Sequence, residues 1–268
     1  MPPRTFRKVG PAAPAGYFAW EAAGLRWLAV AAEVTGTAGV AGTAGVAVVP
    51  VVQVTDDYLE LVHLPDLVPT QAMAEAFGAD LAATHAAGSA AYGAPPDGWS
   101  GDGWLGPMTE LLPLALRPVD TWGELWAHQR IVPMLEEGRR RGVYDADDTR
   151  LFERVATRVA SGELDTGDPP ARLHGDLWGG NIMWGPEGAV LIDPAAHGGH
   201  RETDLGMLSL MGAPRLTTIL AAYDEAAPLV DGWRERQSLH QLHPLMIHAV
   251  VYGGGYVEQS RAAARPWA

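Results

Sequence analysis

The chain has 268 residues and a mass of 28.5 kDa, long enough to bury a full core as one large domain or two lobes. A net charge of −13 and a pI near 5.0 argue against a nucleic-acid partner, which would need clustered Lys and Arg on one face; the run Arg139-Arg140-Arg141 reads as a solvated helix end. The absence of cysteine excludes disulfides and thiolate metal sites, and without a signal-like apolar core or an apolar window of about 18 residues the expectation is a cytoplasmic protein with no membrane contact.

The cations are biased: 18 arginines accompany a single lysine, Lys8. A lone lysine in such a background is either chance or a position that needs a compact ammonium, which the planar guanidinium cannot imitate. Residues 17–34 are Ala- and Leu-rich, carry apolar residues at helical spacing and contain no proline, which predicts a helix. The Gly-Ala repeat that follows, Gly36 to Gly45, is not a phosphate loop. It lacks the GxxxxGK[ST] pattern, and it follows a helix and precedes a strand, the reverse of a dinucleotide fingerprint. It reads as a low-complexity connection lying away from any nucleotide cleft.

Val51 to Leu64 predicts two strands turning at Asp56-Asp57, so residues 1–65 form a small lobe of helix and sheet. Residues 66–268 form a larger, mainly α lobe. Its helices are expected from Thr70, over Thr121–Arg141, over Asp145–Ser161 and from Thr203 to Pro266, the last stretch broken at Pro228 and Gly253-Gly254-Gly255. Tyr92 to Pro107 reads as an ordered loop. Between the helices, Leu173 and its neighbours and Ala189 to Ile192 are short strands flanking a Gly/Asn/Trp-rich loop, which places polar residues at a cleft. The fold class is α+β.

That loop carries the chemistry. HGDLWGGN, His174 to Asn181, is followed by Leu191-Ile192-Asp193-Pro194. Kinase catalytic loops present Asp, then Asn five residues on, then a second Asp after a strand, because phosphoryl transfer needs one carboxylate to orient the acceptor hydroxyl and further oxygens to hold magnesium. Asp176, Asn181 and Asp193 reproduce that order and spacing.

LHGDLWGGNIMW, VLIDPAAHGGHRETDLGML and SLHQLHPLMIHAVVYGGGY together resemble the fructosamine kinase (ketosamine-3-kinase) family, from Phe6 to Gly255 and most strongly between Leu173 and Met211. The resemblance implies a two-lobed protein-kinase-like fold that uses ATP and Mg to phosphorylate a sugar hydroxyl of a small-molecule ketoamine or glycated amine, and a monomer is the expected state. It makes Asp176 the catalytic base, Asn181 and Asp193 the metal ligands, His174 a support of the catalytic loop and Asp204 its brace. Lys8 and Glu21 are implied as the ion pair that grips the nucleotide phosphates. Backbone groups of Leu59 to Leu64, the connection between lobes, Leu61 and His63 among them, would meet the adenine edge, with Val62 where relatives carry Glu and Glu60 two residues earlier. Trp178, His197 and His200 would line the sugar pocket, core packing being an equal reading for Trp178. A metal site at His197, His200 and Glu202 is disfavoured, since Gly198-Gly199 suggests a loop.

Two other readings stay open: a kinase of another small alcohol, such as an aminoglycoside or choline-like compound, and a degenerate kinase that binds without turnover. The second is motivated by the seven residues ahead of Lys8, too few for two strands and a glycine-rich phosphate lid.

Overall fold

The computed structural model describes residues 4–10, 12–34 and 45–268. Most of the Gly-Ala repeat, residues 36–44, lies outside the described residues; Gly45 packs against Ala31 and Thr84.

The small lobe is built on strands β1 (Thr5–Val9), β3 (Val51–Val54) and β4 (Tyr58–Val62), in the order β1-β4-β3, all antiparallel. The turn between β3 and β4 falls at Asp56-Asp57, where the Thr55 hydroxyl accepts from the Asp57 and Tyr58 amides. Helix α1 (Tyr17–Val34) lies against this sheet and is apolar almost all round, the pattern of a buried helix. Of its side chains up to Ala31, Ala19, Arg26 and Val30 are exposed, whereas Phe18, Leu25 and Leu28 are fully buried. Truncating Phe18 to alanine would cost about 3–5 kcal/mol.

A second sheet joins residues on both sides of position 65. Strand β2 (Ala47–Val48) runs parallel to β9 (Gly188–Leu191), which pairs antiparallel with β8 (Ile182–Gly185). This β2 contact ties the small lobe to the strand that delivers Asp193. At the other face, Gly24 of α1 lies so close to Pro194 and Ala196 that a Cβ there would crowd both. The helix carrying Glu21 is thereby held against the segment carrying Asp193.

The larger lobe is helical. Helix α2 (Gln71–Ala86), capped by the Thr70 hydroxyl, packs along α7 (Leu216–Ala226). Helices α3 (Trp122–Trp126), α4 (Val132–Arg140), α5 (Ala146–Ala160), α9 (Leu242–Tyr252) and α10 (Gly255–Ala264) enclose the largest core cluster, with Phe152, Val159 and Met246 among its buried members. α3 and α5 start on capping boxes, Thr121 with Glu124 and Asp145 with Asp148. The continuous helix expected over Thr121–Arg141 is interrupted by a π-helical turn, Ala127–Ile131. Helices α6 (Arg201–Met211) and α8 (Trp233–His240) complete the lobe, the breaks after Met211 and at Gln241 adding to those expected.

Tyr92–Pro107 is a loop except for β5 (Gly103–Leu105), which forms a hairpin with β6 (Leu112–Leu114). Strand β7 (Ala171–Leu173) pairs with β10 (His197–Gly199), so the loop expected at Gly198-Gly199 is a strand. The reason is long-range: the Gly198 amide donates to Ala94 O, and its carbonyl accepts from the Gly93 amide. Among the described residues no helix is long and apolar enough to cross a membrane.

Candidate active site

Strand β7 ends at Leu173, and His174, Gly175 and Asp176 follow as a turn whose backbone is held by one carboxylate. Asp204, fully buried in the first turn of α6, accepts from the His174 amide (2.7 Å) and the Gly175 amide (2.9 Å), and His85 Nε2 lies 3.2 Å from it. Burial pushes the Asp204 carboxyl upward, but His85, His174 and the Gly175 amide outweigh it and hold the group below its ordinary range. Gly175 sits at φ +82°, and a Cβ there would collide with the Ala195 carbonyl.

His174 is fixed as one tautomer. Its Nε2–H donates to Ile192 O (2.9 Å), and its Nδ1 accepts from the Asp176 amide (3.2 Å). It thus links the Asp176 turn to the residue before Asp193 and supports the loop from beneath.

Asp176 is met by Asn181, whose Nδ2 donates to the Asp176 carbonyl (2.8 Å) and to Oδ2 (3.0 Å). The amide oxygen of Asn181 faces away from those bonds and is available as a ligand. Burial pushes the Asp176 carboxyl up, with His174 and Asn181 opposing. Asp193 occupies the left-handed region at φ +52°, a conformation Asp tolerates, which turns its carboxylate toward Lys8.

Lys8, on edge strand β1, is bonded to both oxygens of Glu21 (2.9 and 2.8 Å) and lies 3.2 Å from Asp193 Oδ1. Burial works against the ammonium, but Glu21 and Asp193 outweigh it and hold the group above its ordinary value. Glu21 is 1% exposed on an apolar helix; burial pushes its carboxyl above the ordinary range, with Lys8 and the Tyr17 hydroxyl opposing that rise. Tyr17 stands over the pair, its phenol pushed up to about 12 by burial and by Glu21.

These groups open on one cavity of about 620 Å³ that contains Lys8, Asp176, Asn181 and Asp193 in its wall. Trp178, 36% exposed, stands at its mouth, and His197 lies buried on its inner wall. Not foreseen are Tyr252 and Tyr256 at the rim and Arg130 and His243 inside. Arg130 gave no motif signal, being one arginine among eighteen, although its position three residues before Pro133 in a long helical stretch hints at an irregular turn.

Three expectations are corrected. Leu61 is buried in the central strand β4, opposite Phe6 on one side and Val51 on the other, so its side chain belongs to the core. The His63 amide donates to Arg4 O (2.8 Å), so that donor is not free for a nucleotide base, and neither side chain lines the cavity. His200 turns away from the cavity: its Nδ1 accepts from the Glu202 amide, and its Nε2 pairs with the Thr166 hydroxyl (2.8 Å), which makes it the N-cap of α6. His200, Glu202 and His240 do bring ligand-type atoms within 4.8 Å of one another. Both Glu202 oxygens are already bonded to Arg236 (2.6 and 3.0 Å), whose charge repels a cation. No metal site follows.

A sequence profile of the fructosamine kinase family matches residues 3–265. A Klebsiella aerogenes protein assigned as a ketoamine kinase is 36% identical over 142 residues, 53% of this chain and 48% of that protein, so the match spans about half the relative's length. The solved structure of a chain from Thermobifida fusca assigned as a fructosamine-3-kinase is 43% identical, with a TM-score of 0.83 over 98% of this chain and 86% of that one. A choline/ethanolamine kinase family protein from Mesorhizobium loti, 14% identical, superposes with a TM-score of 0.58 over 97% of this chain and 82% of its own, a likeness of fold alone. The architecture is two-lobed and protein-kinase-like.

Proposed function

The chain belongs to the fructosamine kinase family, and from that premise we propose that it transfers the γ-phosphoryl group of ATP to a sugar hydroxyl of a ketoamine, a small molecule or a glycated amine. The observation that carries this reading is the convergence of Asp176, Asn181, Asp193 and Lys8, itself held by Glu21 from behind, on one cavity with room for a sugar beyond them.

In the proposed step the acceptor hydroxyl approaches Asp176, which orients it and takes its proton as the oxygen attacks the γ-phosphorus. The bond to the bridging oxygen breaks and ADP leaves with that electron pair. Burial, which raises the Asp176 carboxyl, makes it a stronger proton acceptor than an exposed carboxylate. Lys8, held by Glu21, is positioned as a point charge for the nucleotide phosphates.

The Asn181 amide oxygen and the Asp193 carboxylate are hard oxygen donors, and they fit a magnesium ion. When bound, that ion neutralises phosphate charge. Trp178 offers an indole face to the apolar side of a hexose at the mouth, and His197 faces it from within. Ours is a cytoplasmic setting, where ATP is at hand.

The test is direct. With Mg-ATP and fructoselysine, the protein should form ADP well above an Asp176→Ala control. Equal rates for the two would refute the reading.

A further inference from the structure

Arg130 is a buried cation that its own protein leaves partly unanswered. Its side chain is 1% exposed, Nη1 donates to Ala115 O and Gln129 O (both 2.9 Å), and Nη2 has no hydrogen-bond partner. Among the described residues no carboxylate stands within ion-pair distance of it; Asp102 acts on it only from further away. A guanidinium in this position is expensive unless something completes its bonding, and desolvation lowers its pKa to about 9.

The residue also lines the cavity that holds Asp176. It is carried there by the π-helical turn Ala127–Ile131, an irregularity that inserts one residue into a helix and is frequent at functional sites. Two neutral histidines stand with it. His197 donates its Nδ1–H to Ala195 O (2.8 Å), which leaves Nε2 as an acceptor, and burial together with Arg130 keeps the ring from charging. His243 is likewise kept neutral by burial and by the same guanidinium. The cavity is graded, from Arg130 at 1% and His197 at 4% to Trp178 at 36% and Tyr252 at 58%. An acceptor entering past the aromatic rim would present its leading end to the guanidinium.

We propose that Arg130 is a specificity-determining residue, its guanidinium donating to an anionic oxygen that the acceptor carries in addition to the hydroxyl being phosphorylated. This rests on the reading of the cavity as the acceptor site. Two chemical sources would supply the anion: a phosphate at the far end of the sugar, or the carboxylate of a glycated free amino acid. Recognition of either would be strong for the usual reason, a fixed donor fork in a desolvated setting.

The experiment compares three acceptors with the full chain: the fructose ketoamine of glycinamide, that of glycine, and the 6-phosphorylated ketoamine of glycinamide. For the native protein one anionic acceptor should exceed the neutral one at least tenfold in kcat/KM. Preference for the glycine compound assigns the carboxylate, and preference for the 6-phosphate assigns the sugar phosphate. Arg130→Met should bring that ratio close to one, chiefly through KM, and Arg130→Lys should retain part of it. Equal use of all three acceptors by the native protein, or an equal loss on all three in Arg130→Met, overturns the proposal. Phosphorylation of none of them by the native protein strikes at the kinase reading itself. Should Arg130→Met fail to fold, melting of the native protein with each acceptor and no nucleotide decides: an anionic compound must raise Tm more than the neutral one, and equal shifts overturn the proposal.

Discussion

Asp204→Asn tests how the catalytic turn is held. The native carboxylate accepts from three donors, the His174 and Gly175 amides and His85 Nε2, at 2.7, 2.9 and 3.2 Å, in a fully buried site. The asparagine oxygen can replace Oδ2 and keep the His174 and His85 bonds, but the amide NH2 then faces the Gly175 N–H, donor against donor. One buried donor is orphaned, at about 1–3 kcal/mol, and the two remaining bonds lose their charge assistance. A total loss of about 3 kcal/mol corresponds to a fall in Tm on the order of 6–12 °C for a protein of this size. Because the released N–H belongs to the residue before Asp176, kcat should fall by more than KM for ATP rises. Thermal melting at pH 7 and steady-state kinetics on the soluble variant check both parts. A variant within about 2 °C of the native protein and with unchanged kcat would refute the bracing role of Asp204.

Lys8→Arg should lower kcat/KM for ATP on the order of a hundredfold, because a planar fork cannot put one nitrogen between Glu21 and Asp193 as the ammonium does; kinetics with ATP varied measure it, and native-like values count against the phosphate grip. Gly175→Ala should cost about 2–4 kcal/mol and most of the activity, since the new Cβ meets the Ala195 carbonyl at a positive φ; unchanged melting would contradict that geometry. Burial opposes the charge of Glu202, yet Arg236 and the nearby His240 hold its pKa at about 2 against an ordinary 4.5, so its contribution is present above pH 4.5 and is lost as pH falls toward 2. That difference is worth about 3 kcal/mol, and Glu202→Gln should melt lower at pH 7 and show a shallower acid limb, whereas parallel pH curves for the two proteins would rule it out.

Local pattern made much of this legible in the sequence. The helix over 17–34 and the turn at Asp56-Asp57 follow from spacing and turn chemistry, and Asp176, Asn181 and Asp193 stand out by their intervals, as the resemblance to a known family does by its motifs. What stayed hidden depends on partners far along the chain. Strand β10 contains two glycines and is a strand because Gly93, Ala94 and β7 bind its backbone. The pairing of β2 with β9 joins residues about 140 positions apart, as Ala47 with Val190. His200 next to the motif suggested a pocket residue, yet its ring is taken up as the cap of α6. Arg130 had no motif to announce it, and only burial and a missing partner single it out.

The central claim is that Asp176 directs phosphate from ATP onto a sugar hydroxyl. Phosphorus NMR of a reaction containing Mg-ATP and a ketoamine follows both products at once. The account predicts one new phosphate monoester on the acceptor for each ADP formed, with a rate at least a thousandfold lower in Asp176→Asn. ADP accumulating beside free phosphate with no ester, or an undiminished rate in the variant, would contradict it.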